Sequence, residues 1–101
     1  MICRIWHGYT TLENAGKYEN LLKEEIFIGI KGRSINGFRD IKLLRRLFGE
    51  EVEFITIMWF DSIDSVKEFA GEDYEKSVVP EKAHQILSRY DKISQHYEVR
   101  E

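Results

Sequence analysis

The run VEFITIMWF, residues 52–60, sets the tightest limit on what this chain can fold into. Its β-branched and aromatic residues predict an extended strand. Side chains of a strand alternate between two faces. One face then carries Val52, Phe54, Thr56, Met58 and Phe60, and the other carries Ile55, Ile57 and Trp59. A strand that is apolar on both sides has to be central and covered twice. In a chain of 101 residues, with room for one core, that requirement governs the rest.

The other segments fall into place around it. ICRIWHGY, residues 2–9, reads as a first strand, with Ile2, Arg4, Trp6 and Gly8 on one face and Cys3, Ile5, His7 and Tyr9 on the other. Ala15, Tyr18, Leu22 and Ile26 recur at helical spacing and predict a helix over 11–30. Thr10 with Glu13 fits a capping box, and Gly32 a stop. The charged stretch 37–48 predicts a strand near a sheet edge, joined to 52–60 by a turn at 49–51. Asp61 or Ser62 can cap a second helix whose stripe is Ile63, Val66, Phe69 and Ala70, ended by Gly71. A short irregular or helical segment follows, with Pro80 suited to a helix first turn. Residues 92–100 are expected to close the sheet as one strand beside the first.

The order β-α-β-β-α-β predicts a single α+β domain over residues 1–101, ferredoxin-like, with an antiparallel sheet and helices on one face. The second face then needs a cover that the chain does not contain. A second copy, sheet against sheet, is the simplest one, so a homodimer is expected. Burying about 600 Å² of apolar surface per subunit would contribute on the order of 15 kcal/mol before association costs.

Hydrophobic residues at 43% and charged residues at 33% fit a folded globular chain and exclude a disordered one. With 15 basic and 18 acidic residues the net charge is −3, which argues against a nucleic-acid partner. No apolar run approaches the roughly 20 residues of a membrane helix, and the N-terminus lacks a signal-peptide pattern. A cytoplasmic protein without a membrane partner is expected. Cys3 is the single cysteine, so no internal disulfide can form. No CxxC, HExxH, GxGxxG or Walker loop occurs, and no His, Cys, Asp and Glu set has metal-ligand spacing. No metal and no tightly bound cofactor are expected.

MICRIWHG at the start, MWFDSIDSVKEFAGEDYEKSVVPE in the middle and HYEV near the end together resemble the antibiotic biosynthesis monooxygenase domain family. The resemblance spans nearly the whole chain and implies a dimeric α+β barrel of ferredoxin-like subunits. Members of that family oxidise aromatic polyketide intermediates with molecular oxygen and no metal or flavin, degrade haem, or act on quinols and signalling molecules. The resemblance therefore implies a cofactor-independent monooxygenase of a small aromatic or quinol-type compound. A non-catalytic dimeric ligand-binding or stress-associated protein of the same fold is the alternative. The haem-degrading branch places an asparagine, a tryptophan and a histidine ligand where this chain has His7, Phe69 and Val79, and His84 lies five residues beyond the last. Haem degradation is accordingly disfavoured.

The candidate residues follow from the chemistry. Oxidation without a cofactor needs an ionised phenol or hydroquinone, and histidine is the commonest base near neutral pH. His7 and His96 are the candidates, with Trp59 as a stacking wall. Tyr18, Phe69 and Tyr74 are expected to line the substrate pocket. Arg4 and Glu98 have the parity for a cross-strand ion pair that His96 would share, completed by the second subunit.

Overall fold

The two apolar faces of residues 52–60 are explained by their neighbours. In the computed structural model, which describes residues 1–101, strand β3 (Glu51–Phe60) lies inside the sheet. It pairs antiparallel with β1 (Ile2–Thr11) on one side and with β2 (Phe38–Phe48) on the other. Beyond β1 come two short strands, β4 (Arg89–Tyr90) and β5 (Gln95–Glu98), both paired with β1. This is the antiparallel ferredoxin-like arrangement the element order predicts.

A continuous helical rod crosses one face. It consists of α1 (Ala15–Leu21), a π-helical turn (Leu22–Ile26) and α2 (Phe27–Gly32). The rod starts later than the expected 11–30, because β1 runs on to Thr11 and takes Thr10 into the sheet. The capping box therefore does not form. Thr10 Oγ1 donates to the Thr11 carbonyl, and Thr11 Oγ1 accepts from the Asn14 N–H at 3.2 Å. Helix α3 (Ile63–Ala70) is capped by Ser62, whose hydroxyl accepts from the Ser65 N–H at 3.3 Å. It ends at Gly71, whose φ of +91° suits a residue without a side chain. Helix α4 (Glu81–Ile86) follows Pro80. No helix is long and apolar enough to cross a membrane.

The closing strand departs from the sequence reading. Gly8 pairs with Tyr90 and Ile5 with Gln95, so the last segment spends two more residues than β1 between the same anchors. Asp91 stays on β1, its N–H donating to the His7 carbonyl at 2.9 Å, but residues 92–94 peel away and bond to the 75–77 segment instead. The Ser77 N–H donates to the Lys92 carbonyl at 2.9 Å, and the Ser94 N–H to the Glu75 carbonyl at 2.7 Å. The expected single strand is thus two strands around a bulge.

Two clusters fill the space between helices and sheet. Tyr18, Leu22, Val52, Phe54 and Ala83 belong to one; Ile41, Met58, Phe60, Val66 and Phe69 belong to the other. No helix covers the opposite face. There Ile5, Ile55, Ile57 and Trp59 are half-buried, while Leu44, Phe48 and Tyr97 are exposed. Ion pairs rim this apolar centre: Arg46 with Glu53, and Arg89 with Glu51.

Candidate functional site

A cavity of about 60 Å³ lies at the seam between the two clusters, walled by the helical rod, the sheet and the 78–80 segment. Twelve of its sixteen lining residues are hydrophobic and a thirteenth is Pro80, so the three polar ones decide what it can hold. These are Arg4, Thr56 and Ser94; Tyr18, one of the twelve, adds a phenol hydroxyl. Ile26, Ile30, Phe69, Val78 and Pro80 also line an outer groove of about 400 Å³, which makes that groove the mouth of the cavity.

Arg4 reaches the cavity because β1 alternates and pairs Arg4 with Met58 and Trp6 with Thr56, all facing the helices. The residue is 4% exposed. It donates to the Tyr74 carbonyl at 2.5 Å and the Lys76 carbonyl at 3.2 Å, and lies 3.0 Å from His96 Nε2. It also packs over the Phe69 ring, 5.5 Å from its centre. None of these partners is an acid. Burial without a counter-charge lowers the guanidinium pKa to about 10.

His96 answers the same environment. Burial, then the positive charge of Arg4, lowers its pKa to about 4. The ring is neutral at pH 7, and Nε2 is the lone-pair nitrogen that accepts from Arg4. Its face is fixed edge-on by Tyr74, 5.1 Å between ring centres. Burial pushes the Tyr18 phenol up, so it stays protonated. Ser94 is 2% exposed, and its hydroxyl has no hydrogen-bond partner. The bulge that turns residues 92–94 away from β1 is what brings this serine to the cavity wall.

No family model and no curated protein matches the chain. Solved structures do. A candidate antibiotic biosynthesis monooxygenase from Bacillus cereus superposes with a TM-score of 0.64, covering 99% of this chain and 93% of that one at 14% identity. The Mycobacterium tuberculosis protein Rv0793 gives 0.62, covering 99% and 95% at 15% identity. The chain has the fold of the antibiotic biosynthesis monooxygenase family. At these identities the likeness is one of fold.

The residues singled out by sequence divide between the two faces of this fold. Tyr18 and Phe69 line the cavity, as does Val79. Tyr74 stands behind Arg4 and His96 instead of in the wall. His96 shares the helix-covered face but does not line the cavity, which it meets only through Arg4. His7 and Trp59 lie on the opposite, open face. Trp59 sits across from Cys3, and the tryptophan at the cavity is Trp6, with Nε1 donating to Ser77 Oγ at 2.9 Å and to the Asp91 carbonyl at 2.8 Å. His7 Nδ1 lies 3.1 Å from Asp91 Oδ2. The expected pair of Arg4 with Glu98 is absent: the register puts His96 opposite Arg4 and Glu98 opposite Ile2, and Glu98 bonds to exposed Arg100. Arg4 also finds its acceptors within its own chain, without a second subunit. Trp6 and Ser94 are the cavity residues that sequence reasoning missed. The parity that joins Trp6 to Arg4 was the available signal for the first; nothing in the sequence marks the bulge that positions the second. No group of three or more His, Cys, Asp or Glu side chains converges.

Proposed function

We propose that this protein is a cofactor-independent oxygenase of a small aromatic or quinol-type compound, working as a homodimer. The observation that carries the reading is the helix-covered cavity: mostly apolar, small, and furnished with one buried positive charge. The neighbour described as a monooxygenase and the family resemblance support it at the level of fold. Apolar walls suit a ring, and Phe69 and Trp6 offer it flat surfaces. The Arg4 guanidinium favours the ionised form of a ring hydroxyl, which is the electron-rich form that can pass an electron to O₂. For a ring methylene oxidised to a carbonyl, one oxygen atom ends in the product and the other leaves as water with the two hydrogens. His96, with Nε2 committed to Arg4, acts in this scheme by orienting the guanidinium. The second copy covers the open face, where Ile55, Ile57 and Trp59 stand unscreened and the His7–Asp91 pair lies within its reach. Haem breakdown is no part of the proposal, since Phe69 and Val79 supply no ligand.

One observation favours the alternative of a non-catalytic ligand-binding protein: neither histidine reaches the cavity. Oxygen consumption separates the two. With a panel of hydroquinones and anthrones, at least one compound should be consumed above its uncatalysed rate, saturably and without sensitivity to a chelator. Ligand binding with no oxygen uptake across the panel would replace the oxygenase by the binding protein.

A further inference from the structure

The polar end of the cavity is built for a negative group that the chain itself does not provide. A guanidinium has five N–H donors. Arg4 spends three, all on neutral acceptors: two backbone carbonyls and an imidazole. No carboxylate of the chain bonds to it, although 18 acidic residues are present and nine of the other cations find one. Ser94 adds a hydroxyl that is 2% exposed and without a partner. Both residues line the same cavity. A buried charge without a counterion and a buried hydroxyl without a bond each cost free energy unless something completes them.

We propose that the cavity binds a small apolar monocarboxylate, its carboxylate held by Arg4 and Ser94 and its hydrocarbon part lying along Phe69 and Ile30 toward the outer groove. A carboxylate fits the donors in number and kind. Its two oxygens can take the unspent guanidinium N–H groups and the serine O–H, and the planar fork of arginine suits it. A phosphate would bring more charge than one guanidinium can match, and no second cation lines the cavity. His96, neutral and already bonded to Arg4, does not compete for the site. The inference rests on the same cavity as the oxygenase reading and names the substrate class for it, an aromatic acid whose ring hydroxyl stands beside the carboxylate, so that Arg4 faces both. It does not depend on oxygen chemistry.

Binding measured without turnover therefore tests it separately. Benzoate, its neutral isostere benzamide, and 4-nitrophenolate are titrated by calorimetry into the anaerobic protein. Benzoate should bind roughly tenfold or more tighter than benzamide, the worth of a charge-assisted hydrogen bond. Arg4→Met should erase that difference while leaving benzamide affinity in place, and Arg4→Lys should keep part of it, because lysine retains the charge without the fork. Ser94→Ala, which removes one unpartnered atom and leaves the fold undisturbed, should weaken benzoate severalfold and benzamide little. Equal affinity for benzoate and benzamide overturns the proposal, as does preference for the phenolate over the carboxylate, or Ser94→Ala binding benzoate like wild type. Carboxylate binding without oxygen uptake would leave this inference standing and remove the oxygenase. Oxygen uptake with a neutral quinol, and no preference for carboxylates, would do the reverse.

Discussion

Lowering the pH from 6.5 to 4 places a second positive charge against Arg4. His96 Nε2 lies 3.0 Å from the guanidinium, and burial followed by that charge lowers its pKa from 6.5 to about 4. Between those values the unfolded chain holds a proton on this residue that the folded chain lacks. Stability contributed by this site therefore rises with pH across the window and is lost on acidification. The full shift corresponds to about 3 kcal/mol, and solvent screening of a half-buried ring reduces it to about 1–2 kcal/mol. The assay is urea unfolding, followed by circular dichroism at fixed protein concentration from pH 7 to pH 4, of the wild type and of His96→Gln. The glutamine carbonyl keeps an acceptor for Arg4 and does not titrate. Carboxylates held low by arginines, such as Glu53 beside Arg46, also lose stability in acid, but both proteins share them and the difference cancels that loss. The wild type should lose about 1–2 kcal/mol more than the variant. Parallel pH profiles, or a His96 resonance titrating near 6.5, would refute the reasoning.

Two further outcomes are expected. Light scattering should give about twice the 12.0 kDa chain mass, and Ile57→Glu, which puts an unpaired charge at the centre of the open face, should give a monomer or insoluble protein. A wild-type monomer at micromolar concentration would remove the basis for the dimer. Gly37→Ala should cost roughly 2 kcal/mol or more, because φ is +86° and the added Cβ would stand 2.0 Å from Ser65 Oγ. An unchanged melting temperature in that variant would show that the 34–37 turn relaxes freely.

Much of the fold is written in simple alternation. The double apolar pattern of 52–60 placed β3 inside the sheet, and the parity of 2–9 separated Arg4 and Trp6 from His7 and Ile5. Alternation does not say which face receives the helices when both are apolar. That choice made Trp59, and not Trp6, look like the cavity wall. It also put His7 and His96 in one imagined pocket, when the sheet separates them. The bulge at 92–94 left no mark either, since it depends on carbonyls and N–H groups of the 75–77 segment, which any side chain can present. Arg4 was read as half of an ion pair because Glu98 had the right parity. Its acceptors proved to be backbone carbonyls, which composition cannot reveal. What the cavity holds at its polar end thus emerged only from three-dimensional placement.

The π-helical turn has a consequence for how such a pocket changes over time. Tyr18, Leu22, Ile26 and Ile30 all line the cavity, and they stand four residues apart. On a straight α-helix each four-residue step drifts about 40°, and three steps would swing the last residue about 120° away from the first. The wider turn at Leu22–Ile26 takes up that drift and works as a phase shifter between the two halves of the rod. Deleting one residue from the turn would restore plain α-helix, with Ile26 and Ile30 then seven and eleven positions after Tyr18 and still on the cavity face. The same deletion in a regular α-helical stretch would swing everything after it by about 100°. The turn is thus where the rod can lose a codon and keep its apolar stripe facing the sheet.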